Sequence, residues 1–305
     1  MTDVIIIGAG PAGMTAGVYA LRAGLSALIL EEGVYGGQVA LTSEVENYPS
    51  HQKISGWELA QSIYDHAAAA GAKVSFEQVL SLETAGTVQT VVTNQGRHDC
   101  RAVILANGAK RRKLGCPGEQ EWTGRGVSYC ATCDGAFFRG KTVCVVGGGN
   151  TAMEDALFLA NLAQTVYLVH RRGEFRGEKH LQNAVLASEK IQILYDTGVE
   201  AISGGDRVEA VTLKDLKTGQ VRQLDTDAVF IAIGLEPDNG KFASVVALDE
   251  GGYVVAGEDC RTNVPGIFAA GDTRTKAVRQ IITAAADGAV AATGAANYLN
   301  AESRD

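Results

Sequence analysis

The chain has 305 residues, which allows two or three domains at about 100–200 residues each. Its formal net charge is −8, from 27 basic and 35 acidic residues, which argues against a protein that grips nucleic-acid phosphates. Apolar residues at 46% and charged residues at 20% read as globular, while 37 glycines against 5 prolines exclude Pro-rich linkers and point to backbone approaching ligands closely.

Only Met1-Thr2-Asp3 precede the first apolar run, so no leader peptide is expected. No stretch of about 18 continuous apolar residues reads as a membrane span, and the expected address is the cytoplasm. Asp3–Ile7 is an apolar β-branched strand that runs into Gly8-Ala9-Gly10-Pro11-Ala12-Gly13, a G-x-G-x-x-G turn. An Ala-rich helix follows to about Ala23, then a strand from Ala27 to Leu30 that ends at Glu31. Strand, glycine turn, helix, strand, acid is the full context of a dinucleotide site. The glycines admit a pyrophosphate at the helix start, and the acid takes a ribose diol. With its acid, this first site suits the adenosine of FAD or NAD.

Ala102–Ala109 reads as a buried strand running into a Gly turn. Of six cysteines, only Cys130 and Cys133 share C-x-x-C spacing. No second C-x-x-C or H-x-x-x-H supplies the other two ligands of a structural zinc, so the pair reads as a redox dithiol and no metal is expected. Cys100, Cys116, Cys144 and Cys260 read as small, mostly buried residues.

The dinucleotide pattern then recurs. Thr142–Val146 is a strand, Gly147-Gly148-Gly149-Asn150-Thr151-Ala152 the turn, a helix runs to about Leu162, and Val166–Val169 is the next strand. Gly8 to Glu31 and Gly147 to His170 both span 23 positions. Where the first unit has its acid, the second has His170-Arg171-Arg172, with Arg176 one turn further. Guanidinium groups bind a 2′-phosphate bidentately, so this second site suits NADP. Val229–Gly234 ends the second half, and Leu235–Gly240 reads as a turn-rich linker. Gly266–Asp272 is a last short strand ending in Gly-Asp. A helix rich in small residues follows from about Arg279, suited to a close neighbour or to tight helix packing. The expected architecture is α/β and three-layer: two Rossmann-like, two-dinucleotide-binding domains, with 112–242 inserted into a domain formed by 1–111 and 243–305.

GAGPAG at Gly8–Gly13, GGQ at Gly36–Gln38, ENYP at Glu46–Pro49 and CATCDG at Cys130–Gly135 continue into GGGNTA at Gly147–Ala152 and HRRGEFR at His170–Arg176. FAAGD at Phe268–Asp272 and RQ at Arg279–Gln280 complete the set. On these motifs nearly the whole chain resembles the low-molecular-weight thioredoxin reductases, a branch of the two-dinucleotide flavoprotein disulfide reductases. The chain departs from that pattern at Asn150-Thr151, where the family often has Asp-Ser, at Gly173 (Asp) and at Asn107 (Thr).

The resemblance implies FAD in the first domain. Gly8, Gly10, Pro11, Ala12 and Gly13 would cradle its pyrophosphate, and Glu31 its adenosine ribose. Gly36, Gly37, Gln38 and Asn47 would line the flavin side. Asp272 would meet the ribityl or phosphate region, and Arg279 and Gln280 the ring. NADPH would sit on Gly147, Gly149, Asn150, Thr151, Ala152, His170, Arg171, Arg172 and Arg176. Hydride from NADPH would pass through FAD to Cys130–Cys133, and that dithiol would reduce the disulfide of thioredoxin. Asp134, beside Cys133, is the natural proton carrier. A homodimer is expected on the resemblance alone. Alternatives on the same scaffold are another small dithiol protein as partner, or an oxygen- or ferredoxin-linked dithiol oxidoreductase, which would do without the arginines. A non-catalytic redox sensor is the remote alternative.

Overall fold

The run Val4-Ile5-Ile6-Ile7 is β-branched throughout. In the computed structural model, which describes residues 1–42 and 44–302, it lies in the strand Thr2–Ile7. This strand pairs in parallel with Ala27–Glu31 on one side and with Arg97–Leu105 on the other. Lys73–Phe76 extends the sheet beyond Ala27–Glu31, and Ile267–Ala269 pairs with Arg97–Leu105, both in parallel.

Both faces of the sheet are covered, which is why the central strand is a continuous apolar run. Val4 and Ile6 pack with Met14 of the helix Pro11–Arg22 and with Ala291, Ala292 and Ala295 of the helix Ile281–Glu302. Ile5 and Ile7 pack on the other face with Leu82, Val91 and Phe242. That face is closed by an antiparallel meander of Val79–Ala85, Val88–Thr93 and the start of Arg97–Leu105. The last helix is small-sided because it is tightly packed. A Cβ at Gly288 would overlap the Ala12 carbonyl, and one at Gly294 would lie 2.8 Å from the Phe268 ring.

The second half repeats this plan. Thr142–Val146 is the central strand, paired in parallel with Thr165–Val169 and Ala228–Ile231, while Ile191–Leu194 and Val127–Ser128 are the edges. Val143 and Val145 face Met153, Ala156 and Leu159 of the helix Asn150–Ala160. Cys144 and Val146 face Val208, Val211 and Leu213 of a second antiparallel meander, Thr197–Gly204, Val208–Asp215 and Val221–Asp225. Helices, parallel sheet and meander again make three layers, the Rossmann-like plan expected from the sequence.

The chain divides into two units, Met1–Lys110 with Glu236–Asp305, and the inserted Arg111–Leu235. The second division comes earlier than the expected 242/243. Asn239 and Phe242 are fully buried, and the Asn239 amide donates to the carbonyls of Gly252 and Thr273 at 3.0 Å each. Residues 236–242 therefore belong to the first unit. Their turn-rich composition reads as a linker because one buried polar anchor does not show in composition.

Candidate active site

The first glycine turn is held by its own strand ends. Gly8 N–H donates to the Leu30 carbonyl at 2.7 Å, and Ala9 N–H donates to the Glu31 carboxylate at 2.7 Å. Gly33 N–H donates to the same carboxylate at 2.9 Å. Gly10 caps the helix in an extended conformation, and Pro11 is its first residue, where a missing N–H costs nothing. Gly13 is required by close approach: a Cβ there would overlap the Gly8 carbonyl oxygen. A Cβ at Gly10, by contrast, would meet nothing within 4 Å, so the turn presents open backbone at the helix start.

Residues far apart in sequence meet in this unit, some of them on the turn itself. Gly36 N–H donates to the Ala9 carbonyl at 2.7 Å, and a Cβ on Gly37 would lie 3.5 Å from Gly10 Cα. Gln38 donates its amide to the Ala109 carbonyl. Asn47 Nδ2 donates to Gln280 Oε1 at 3.0 Å, across more than two hundred residues. The Arg279 guanidinium lies 4.2 Å from the Tyr253 ring centre, and its Nε is buried without a hydrogen-bond partner. Asp272 sits on the turn Gly271–Thr273, which packs on Ala12.

That turn is fixed by residues the sequence did not single out. Asp287 Oδ2 accepts from Gly271 N–H (2.9 Å), Arg274 Nε (2.8 Å) and Lys276 Nζ (2.9 Å). Burial opposes ionisation of Asp287, but the hydrogen bonds from Arg274 and Lys276 outweigh it and hold the carboxyl below its ordinary value. Only spatial proximity exposes this cluster.

The second turn repeats the first with altered chemistry. Gly147 N–H donates to the Val169 carbonyl at 3.0 Å, Gly149 caps the helix in an extended conformation, and a Cβ at Gly149 would meet nothing within 4 Å. Ala152 is buried below the turn, while Thr151 is exposed beside Asn150 at the helix start. His170 lies under the turn, 7% exposed, and a Cβ at Gly148 would overlap its ring. Its Nε2–H donates to the Glu174 carbonyl at 2.9 Å. Burial first, then the charges of Arg171 and Arg176, push His170 below its ordinary value despite that hydrogen bond. His170 is therefore a neutral seat for the strap that follows it. Arg171, Arg172 and Arg176 on this strap are exposed.

The strap is tied back twice more. Arg176 N–H donates to the Gly148 carbonyl at 3.0 Å. The Asn150 amide donates to Glu178 Oε1 at 2.9 Å and accepts from Glu178 N–H at 2.8 Å. The backbone that carries three arginines is thus tied to an open helix start. Both turns fit a dinucleotide, the first with a carboxylate at the ribose position and the second with cations.

Cys130 and Cys133 form a disulfide with Cα atoms 5.3 Å apart, at the start of the short helix Ala131–Asp134. The turn after it rests on the helix Asn150–Ala160: a Cβ at Gly135 would lie 2.9 Å from Leu159. One helix therefore carries the second glycine turn at its start and the redox turn on its flank. Asp134 Oδ2 accepts from the Ser128 hydroxyl at 2.6 Å. Beside Cys130, the Tyr129 hydroxyl donates to Glu119 at 2.7 Å, and Glu119 also accepts from Leu114 and Gly115 N–H. Ser128 and Glu119 carry no motif, which is why the sequence alone does not flag them.

The remaining four cysteines are unpaired. Burial pushes the thiols of Cys100, Cys144 and Cys260 up to about 12 and raises that of Cys116, so none competes as a thiolate. Among the described residues no group of three or more His, Cys, Asp and Glu is placed to hold a metal ion.

Comparison with known proteins agrees with this geometry. The family model for pyridine nucleotide-disulphide oxidoreductases matches residues 2–288. The thioredoxin reductase of Treponema pallidum (strain Nichols) is 46% identical over 299 residues, covering 98% of this chain and 97% of its own length. That of Bacillus subtilis (strain 168) is 45% identical over 298 residues, covering 97% and 94%. The crystal structure of thioredoxin reductase from Streptococcus pyogenes MGAS5005 is 43% identical with a TM-score of 0.91, covering 99% of each chain. Two open glycine turns and a C-x-x-C disulfide in the inserted unit are what such a match requires of the fold, and the chain belongs to the pyridine nucleotide-disulphide oxidoreductase family.

Proposed function

We propose that this chain is an NADPH-dependent FAD enzyme that reduces the disulfide of thioredoxin through Cys130 and Cys133. The observation that carries the reading is the Cys130–Cys133 disulfide on the flank of the helix that also begins the second glycine turn. FAD fits the first unit, held by Gly8, Gly10, Pro11, Ala12 and Gly13 at its diphosphate and by Glu31 at its ribose. Gly36, Gly37, Gln38, Asn47, Asp272, Arg279 and Gln280 line the flavin end. NADPH fits the second unit on Gly147, Gly149, Asn150, Thr151 and Ala152, with Arg171, Arg172 and Arg176 on the 2′-phosphate and His170 seating their strap. Bound together, the two cofactors supply the two-electron path between a nicotinamide and a disulfide.

The residues of the chain do the rest. Reduced Cys130 and Cys133 offer a dithiol, one sulfur of which attacks the partner disulfide as a thiolate while the other resolves the mixed disulfide. Asp134 takes the thiol proton and returns it to the partner's leaving sulfur. The arginine set separates this reading from a ferredoxin- or oxygen-linked relative, which has no 2′-phosphate to bind. The reading includes a cytoplasmic homodimer without nucleic-acid or membrane partners. Four unpaired cysteines suit a reducing compartment, and no described helix is long and apolar enough to cross a membrane.

The test is NADPH oxidation by the yellow holoenzyme with and without thioredoxin. Bleaching of the flavin by NADPH and turnover only with thioredoxin are expected. Failure to bleach would overturn the reading. Bleaching without turnover would overturn the partner alone.

A further inference from the structure

Asp134 is held by only one of its two oxygens. Oδ2 accepts from the Ser128 hydroxyl at 2.6 Å, whereas Oδ1 is shielded from solvent with no hydrogen-bond partner. A buried carboxylate oxygen left unsatisfied is rare enough to need a reason. Ser128 is 5% exposed, on the edge strand Val127–Ser128, which is itself fixed by pairing with Ala228–Ile231. A serine has one hydroxyl hydrogen. The Cys130 carbonyl at 3.4 Å competes poorly for it against a carboxylate oxygen at 2.6 Å. The same Ser128 Oγ accepts from Cys130 N–H at 3.1 Å. One hydroxyl thus links the backbone of the first redox cysteine to the carboxylate beside the second.

We propose that Ser128 is a positioning residue for the dithiol reaction: it occupies Asp134 Oδ2, orients the carboxylate, and leaves Oδ1 as the oxygen that exchanges the thiol proton. The proposal rests on the dithiol reading above. In the step concerned, two electrons leave the dithiol as the Cys130–Cys133 bond forms and the partner's S–S bond breaks. The two thiol protons finish on the partner's two sulfurs, one of them carried by Asp134 Oδ1. Without Ser128 the carboxylate can rotate, and neither oxygen is held as the one that takes the proton. The loss falls on the chemical step, because Ser128 is buried and offers the partner almost no surface.

The experiment compares Ser128→Ala, Ser128→Thr, Asp134→Asn and the double variant Ser128→Ala/Asp134→Asn as holoenzymes, with thioredoxin disulfide as substrate and thermal melting as the folding control. Ser128→Ala should lower kcat by about tenfold to a hundredfold, the worth of a hydrogen bond to a charged group, with KM for thioredoxin within about twofold. Ser128→Thr, which keeps the hydroxyl, should recover most of the rate. In the Asp134→Asn background, Ser128→Ala should cost nothing further. Unchanged kcat in Ser128→Ala, a rise in KM alone, no recovery in Ser128→Thr, or additive losses in the double variant would each overturn the positioning role. An Asp134→Asn enzyme as fast as the wild type would instead overturn Asp134 as proton carrier.

Discussion

Asn150 offers the sharpest test of how the second turn selects its nucleotide. The strap from Arg171 to Glu178 is tied to the turn by the His170–Glu174 bond, by Arg176 N–H on the Gly148 carbonyl, and by the reciprocal pair between Asn150 and Glu178. Asn150→Ala removes two of these hydrogen bonds at once. The Glu178 side chain is 64% exposed, so each bond counts at the low end, about 0.5–1 kcal/mol. The sum, about 1–2 kcal/mol, lowers the ratio of ordered to free strap about 5–30-fold. NADPH affinity should fall by up to that factor, since any ordering lost must then come out of the binding energy. NADH, which has no 2′-phosphate for the strap to meet, should lose far less. Isothermal titration of both nucleotides against wild-type and Asn150→Ala holoenzyme measures the difference. Equal losses for NADPH and NADH, or no loss for NADPH, would refute the idea that Asn150 acts through the arginine strap.

Two predictions concern stability. Burial disfavours the Glu77 carboxylate, yet hydrogen bonds from Ser75, Thr93 and His98 outweigh it and hold the group at about 2. A lowered carboxyl stabilises the fold above its ordinary value near 4.5 and loses that contribution as pH falls toward 2. Glu77→Gln should therefore lower stability at pH 7 by about 3 kcal/mol, and the gap from wild type should close between about pH 4.5 and 2 in melting curves; a gap independent of pH would contradict this. Asp287→Ala strands the Arg274 and Lys276 side chains, which are 1% and 4% exposed, without their shared carboxylate. Urea unfolding should show a loss of about 3–5 kcal/mol, partly restored by adding Lys276→Met, and a variant as stable as the wild type would show the cluster to be dispensable.

Most of the architecture was legible from one-dimensional pattern. A continuous β-branched run, a glycine turn and an Ala-rich helix are local features, and each declares itself within about thirty residues. The repeat of that pattern at the same spacing, with Glu31 replaced by His170-Arg171-Arg172, already pointed to two nucleotides of different charge. The Cys130–Cys133 pair declared itself by spacing. Both meanders went unread: Gly86, Gly96 and Gly219 mark their turns, but the half-exposed strands between them carry no motif, and the division near residue 236 was misplaced because Asn239 is buried.

What the tertiary structure alone decided are the long-range polar contacts. Asn47 reaches Gln280, Asp287 reaches Gly271 and Arg274, and Ser128 sits under Asp134 through the pairing of an edge strand with Ala228–Ile231. Periodicity encodes which face of an element is apolar, because burying apolar surface is non-directional and repeats along the chain. A hydrogen bond needs two particular atoms at about 3 Å, and nothing in either residue's neighbourhood names the other. The glycines and cysteines therefore announced the chemistry of this protein, while the partners that hold and orient them became visible only when the chain was folded.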